Sequence, residues 1–165
     1  MTMSLQLTKT TLTYGFIYAL VSLIWISLEF ALGIQTSYPE LHTVVSILFL
    51  VPAMYILSRG MKSHRQILHD NQSSYGYFMA FMSGFNIMII ATLLSPAVNL
   101  VFHNFVNPEF FESMIQQAVS TMAMTEDMAR EFFSMKSYIQ QSLVSGITLG
   151  AIMSAILAIF LRDRS

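Results

Sequence analysis

The sequence predicts an all-α integral membrane protein: a four-helix bundle with an amphipathic helical segment between the third and fourth spans. Three observations carry this. Of the 165 residues, 55% are hydrophobic and 10% charged, with a mean hydropathy of +0.60, where a soluble domain carries about a quarter charged residues. Four apolar stretches are each about long enough to cross a hydrocarbon core of roughly 30 Å at 1.5 Å per residue. The lysines and arginines fall on alternate connections, as they do when one side of a membrane retains them.

The first stretch, residues 12–33, is interrupted only by Glu29. A cleaved signal peptide is the competing reading, because Ala31-Leu32-Gly33 resembles a small-residue cleavage site. The apolar region is too long for that, and Lys9 is its only basic flank. The second stretch covers residues 41–58, the third 77–102 and the fourth 139–161. Gln35-Thr36-Ser37-Tyr38-Pro39-Glu40 is a short turn, so the first two helices should form an antiparallel hairpin. Ser58-Arg59-Gly60-Met61-Lys62-Ser63-His64-Arg65 and the polar run to Ser74 read as a loop in water.

The connection between the third and fourth spans is not a simple loop. Asn107-Pro108-Glu109 reads as a helix start, with an Asn cap, a proline at the first position and a carboxylate near the positive end of the dipole. Phe111, Ile115, Ala118 and Met122 recur at helical spacing, with Glu112, Gln116 and Ser120 on the other side. A second start falls at Thr125, followed by Glu126 and Asp127 and by a stripe of Met128, Phe132 and Met135. Amphipathic helices are therefore expected over residues 108–123 and 126–136, across the bundle mouth or on the membrane surface.

Lys9, Arg59, Lys62, Arg65, Arg162 and Arg164 fall on one side of four crossings. Arg130 and Lys136 stand on the other, among Glu109, Glu112, Glu126, Asp127 and Glu131. Both termini are then expected in the cytoplasm, with the amphipathic segment outside.

The formal net charge of −1 gives no bias toward nucleic acid. The absence of cysteine removes disulfides, thiolate metal sites and thiol catalysis together. Thirteen methionines and thirteen phenylalanines suit lipid-facing and helix-packing surfaces. His64 and His69 lack metal-ligand spacing and His42 stands alone. His103 has Glu109 and Glu112 within reach, but no zinc site is expected from them. Zincin, nucleophile-elbow and phosphate-loop motifs are missing, as are paired intramembrane carboxylates. No catalytic residue, metal or cofactor is expected.

A candidate intramembrane polar site comprises Glu29, Ser22, Asn86 and Asn99. Glu29 shares a helix face with Ser22, Trp25 and Ile26. It is either a proton or cation site within the bundle or a glutamate near the outer interface; the second is preferred, since one turn separates it from Gly33. Asn86 and Asn99 either line a polar cavity or join helices by hydrogen bonds, the commoner use of such residues. Pro96 frees the carbonyl of Thr92, so a kink is expected there. The fourth span holds a helix-packing strip of Ser142, Gly146, Gly150, Ser154 and Ala158, each four residues after the last. Small groups at that interval let another helix approach closely, whether in this chain, the preferred reading, or in a second copy.

With these elements in order, the chain resembles a family of small bacterial inner-membrane proteins, common in Bacteroidota, catalogued as a domain of unknown function, number four-one-nine-nine. The likeness rests on Tyr14-Gly15, on Gly60-Met61-Lys62-Ser63-His64-Arg65, on the aromatic and glycine entry to the third span from Tyr75 to Gly84, and on a last span ending in Arg162. Its most specific element is Phe105-Val106-Asn107-Pro108-Glu109-Phe110-Phe111. Where the family carries a glycine-containing turn before the third span, this chain has Asp70-Asn71-Gln72-Ser73-Ser74. The resemblance implies a bacterial inner-membrane location and transfers no activity. The expected role is a non-enzymatic accessory or scaffold component. Its partners are the bilayer and, through the extracytoplasmic segment, another membrane protein or a second copy. The alternative is a small transporter or channel subunit, with Glu29, Asn86 and Asn99 around one cavity.

Overall fold

The computed structural model describes residues 2–34 and 39–163. Its helices in chain order are α1 (Met3–Ala31), α2 (Pro39–Leu48), α3 (Leu50–Asp70), α4 (Tyr77–Val101), a π-helical turn (Phe102–Val106), α5 (Phe110–Ser120), α6 (Glu126–Phe132) and α7 (Met135–Leu161). No strand occurs among the described residues. Four helical segments are long and apolar enough to cross a membrane: Met3–Ala31, Val44–Asp70, Tyr77–Val106 and Met135–Leu161. The turn expected between the first two spans centres on residues 35–38, outside the described residues.

The helix α4 is the axis of the bundle. α7 packs along it antiparallel, α1 packs along it parallel, and α3 fills the angle between α1 and α4. Ala53, Leu57, Met61, Ile87, Met88 and Met153 form the buried centre. Large apolar side chains such as Phe16, Leu93, Val144 and Phe160 point outward, which suits a chain whose solvent is lipid.

Two spans run longer than their apolar composition indicates. α1 begins at Met3 rather than near residue 12, and the helix of the second span does not stop at 58 but continues to Asp70. Residues 58–70, read above as a loop, are helical because Leu57, Gly60, Met61, His64 and Leu68 recur at helical spacing and are all buried. This face packs against the extended start of α1, where Met3, Leu7 and Tyr14 join the core. At 1.5 Å per residue the 29 residues of α1 span about 43 Å against a hydrocarbon core of roughly 30 Å. The bundle therefore stands proud of the membrane at its basic end.

Three helices end in the same way. At Gly33, Gln72 and Met122 the backbone enters the left-handed region, with φ of 70°, 56° and 55°. The next residue's N–H reaches back to Glu29, Leu68 and Ala118 at 3.0, 2.8 and 3.0 Å. This paired-bond terminus closes α1, α3 and α5. Gly33 of the Ala31-Leu32-Gly33 triplet thus terminates a helix, and Gln72 takes the left-handed conformation within the glycine-free stretch Asp70–Ser74.

The remaining boundaries also shift. α5 begins at Phe110, because Asn107 and Pro108 lie in the connection and the Asn107 N–H closes the π turn on Phe102 O at 2.9 Å. Thr125 caps α6, which ends at Phe132 rather than 136. Ser134 then caps α7 at the Ser137 N–H, 3.3 Å away, so the last span starts at Met135 instead of 139. Helix α4 runs unbroken through Pro96. The Thr92 carbonyl that Pro96 leaves unbonded accepts from the Ser95 hydroxyl at 2.8 Å.

Candidate functional site

The small-residue strip on α7 is the seam with α4. Each step of four back along α7 meets a step of about four forward along α4: Ser154 faces Gly84, Gly150 faces Met88, and Gly146 faces Thr92. Ser142 then takes hydrogen bonds from Asn99 at 3.2 Å and with Ser95 at 3.1 Å, and Ala158 is fully buried. The strip's partner is therefore within the chain. Asn99 also donates to Ser95 O at 3.0 Å, so it joins two helices and does not open a cavity.

Glu29 is 3% exposed, packed among helices two residues before the end of α1. Trp25 is one turn earlier on α1, and its indole N–H donates to Glu29 Oε1 at 2.6 Å. Across the bundle the Ser46 hydroxyl of α2 donates to the carboxyl, 3.2 Å from each oxygen. The break at Phe49 between α2 and α3 sets that ring edge-on to Tyr18 at 5.7 Å and tilted against Trp25 at 5.8 Å. Ser22 lines the same small cavity of about 170 Å³, so Ser22 and Glu29 stand together.

Asn86 is elsewhere. It lies on the wall of a cleft of about 370 Å³ between the first halves of α1 and α4, with His64 of α3 at its floor. His64 Nε2 and Thr11 Oγ1 are 3.2 Å apart. The Ser83 hydroxyl pairs with the Tyr75 hydroxyl, which donates to Met61 O at 3.1 Å. Thus Glu29, Asn86 and Asn99 occupy three separate surroundings, not one.

Two clusters were not anticipated. At the basic end Asp163, just past α7, accepts from Arg65 Nε at 3.0 Å and Nη2 at 2.9 Å, from His69 Nε2 at 2.9 Å, and from the Tyr75 N–H at 2.8 Å. Its own N–H donates to Tyr75 O at 2.9 Å. The His69 hydrogen bond, the Tyr75 N–H and Arg65 hold the Asp163 carboxyl down to about 2, while burial pushes the Tyr75 hydroxyl up to about 12. This clasp ties the end of the last helix to the α3–α4 connection. The signal in sequence is Arg65 and His69 at i and i+4, one face of a helix whose charge makes it resemble a loop.

At the opposite end His103 is buried in the π turn among Phe102, Phe110, Phe111 and Tyr138, with ring centroids 4.5–5.7 Å apart. Phe110 and Phe111, the last two residues of the most specific motif of the family resemblance, supply two of its rings, and the cage anchors α5 to α4 and α7. Arg130 of α6 then bridges Glu126 at 2.9 Å and Glu112 of α5 at 3.5 Å. Among the described residues no three His, Asp or Glu gather to hold a metal ion. The inward residues of this hairpin are Phe111, Ile115 and Ala129, whereas Val119, Met122, Met128 and Phe132 face out, Met122 at 92% exposure.

No curated protein and no solved structure matches the chain. The family model described as protein of unknown function, DUF4199, matches residues 13–163, nearly the whole length, and the chain belongs to that family.

Proposed function

We propose that the chain is a non-enzymatic, multi-pass component of the bacterial cytoplasmic membrane whose α5–α6 hairpin docks another membrane protein on the extracytoplasmic side. The observation that carries this reading is the outward apolar set of Val119, Met122, Met128 and Phe132 on a hairpin held by the His103 cage and by Arg130. A rigid mount with flexible methionines at its contact surface suits an adaptable interface. Met122 also holds a left-handed backbone, unusual for its residue type, at the tip. The rival transport reading loses support because Glu29, Asn86 and Asn99 do not share a cavity.

The orientation rests on Lys9, Arg59, Lys62, Arg65 and Arg162 at one end of the bundle, with Glu109, Glu112, Glu126 and Asp127 at the other. The test places a benzophenone amino acid at Met122 or Phe132 in native membranes. A discrete protein adduct is expected, and labelling of lipid alone would refute the docking. Because the chain has no cysteine, Lys62→Cys and Glu112→Cys give unique labels for topology. Reaction from opposite sides of sealed vesicles is expected, and labelling from one side overturns the orientation.

A further inference from the structure

We propose that His103 is an acid-sensitive latch: its neutral ring holds the α5–α6 hairpin against the bundle, and a proton on that ring lets the hairpin swing out. This gives the docking surface a regulation, and rests on the docking reading for its purpose only. The starting observation is how the hairpin is attached. Connections of two or three residues flank it, 107–109 between the π turn and α5, and Phe133–Ser134 between α6 and α7. Among the described residues no hydrogen bond or ion pair runs from α5 to α1, α3, α4 or α7, and Arg130 ties Glu112 of α5 only to α6. The attachment of α5 is therefore apolar. Ile115 is buried, and Phe110 and Phe111 lie 4.7 and 4.5 Å from the His103 ring between centroids. Tyr138 of α7 stands 5.4 and 5.2 Å from the same two phenyl rings.

The ring at the centre of this cage suits only one of its two protonation states. His103 is 5% exposed, and its Nδ1 is buried with no hydrogen-bond partner. A neutral imidazole tolerates that, because its N–H can sit on Nε2 and leave only a lone pair at Nδ1. An imidazolium carries N–H on both nitrogens, and Nδ1 then has a charged donor among Phe102, Phe110, Phe111 and Tyr138 with no acceptor in reach. Phenyl faces and the nearby helix end attract a cation, but by less than the cost of burying a charged donor unpaired. The titratable groups brought to this end are Glu29 of α1, Glu109 and Glu112 at the start of α5, and Lys136 and Tyr138 of α7. Of these only Tyr138 touches the ring, edge-on. Glu29 holds Trp25 and Ser46, Glu112 holds Arg130, and Glu109 and Lys136 are exposed. Swinging out brings the ring to water, where it takes the proton freely. Closure is therefore complete at neutral pH and is lost as the pH falls.

The opening constant gains up to about tenfold for each pH unit below about 6.5, the ordinary imidazole value, or up to about thirtyfold at about pH 5. The chain has no cysteine, so Ala31→Cys on α1 and Ser120→Cys on α5, both exposed, carry a pair of nitroxides in the detergent-solubilised full chain. Double electron–electron resonance should give one narrow distance at about pH 7.5 and a broader, longer one at about pH 5. His103→Phe keeps a ring in the cage and removes its nitrogens, so it should hold the narrow distance at both. His103→Leu serves if the phenylalanine variant loses its helical circular dichroism. In the wild type, the histidine resonance that vanishes in either variant should titrate with the same midpoint as the distance. An unchanged distance in the wild type, acid opening that survives in a folded variant, or separate midpoints overturns the proposal. None of these readings needs a partner. A missing protein adduct at Met122 therefore refutes the docking alone, and a hairpin that stays closed in acid refutes the latch alone.

Discussion

Substituting Gly150 by alanine tests the α4–α7 seam at its least forgiving rung. A Cβ there lies 2.7 Å from Met88 Cβ and 3.2 Å from Met88 Cγ, where non-bonded carbons settle at about 3.5–4.0 Å. The obstructing atom is itself a Cβ fixed to the α4 backbone, so no rotamer change withdraws it and the helices must part by about 1 Å. Overpacking of this kind costs about 1–3 kcal/mol, and alanine's better helix propensity returns up to about 1. The rigid contact belongs in the upper part of that range. The net loss is then about 1–2 kcal/mol, a roughly five- to thirtyfold fall in the folding constant. Gly146→Ala provides the internal comparison. Its Cβ meets Thr92 Oγ1 and Cγ2 at 2.5 and 2.8 Å, atoms that rotation about χ1 can move, and the fixed Thr92 Cβ only at 3.2 Å against 2.7 Å for Met88 Cβ, so its loss should be smaller. Reversible unfolding in mixed micelles with rising sodium dodecyl sulfate, followed by far-ultraviolet circular dichroism, measures both. Gly150→Ala at wild-type stability, or Gly146→Ala losing more, would refute the argument.

The three left-handed helix ends give a signed set. Gln72→Gly and Met122→Gly should each gain a few tenths to about 1 kcal/mol, because strain of about 1–2 is relieved against about 0.5–1 of added chain entropy, while Gly33→Ala should lose about 1; a lower melting temperature for Gln72→Gly would contradict this. Asp163 is held at about 2 against an ordinary 3.8, so the clasp's contribution is complete above about pH 4 and drains away as the pH falls to 2. Hydrogen exchange at the Tyr75 amide should accelerate across that window in the wild type, and an unchanged acid profile in Asp163→Asn would remove the assignment. Glu29→Gln keeps an oxygen for the Trp25 N–H, whereas Glu29→Leu leaves that donor buried and unpaired at a cost of about 1–3 kcal/mol. Trp25 is the only tryptophan, so its emission should shift to shorter wavelength in Glu29→Leu alone, and matching spectra and stabilities in the two variants would argue against the hydrogen bond.

The parts of the fold that were legible in sequence are those set by one helix and its solvent. Four apolar runs, the small strip from Ser142 to Ala158 and the Thr125 cap each depend on neighbours within a few turns, and each is found where its spacing indicates. What composition hid was helix continuing past hydrocarbon. Residues 58–70 carry Arg59, Lys62 and Arg65, and their charge masked the buried period of Gly60, Met61, His64 and Leu68. The left-handed Gln72 was equally opaque, because nothing in its own identity demands that conformation. It is imposed by the need to end α3 six residues before α4 begins.

The candidate site follows the same division. A glutamate in an apolar run announces a cost, but its resolution lies in Trp25 on the same helix and Ser46 on another, and only the first is within reach of sequence spacing. Asn86 and Asn99 look alike in sequence, each a carboxamide in the third span, yet one finds Ser142 opposite and the other faces an open cleft. The difference comes from α7, which covers the Asn99 face of α4 and leaves the Asn86 face to α1. There α1 stands off below the Gly15–Ile90 contact, and the side chains of Thr8 and Thr11 are too short to close the gap. Replacing Thr8 by a larger residue would fill that space without any change in the hydrogen bonds that hold His64 or Ser83. The cleft is therefore a property of side-chain size along one seam.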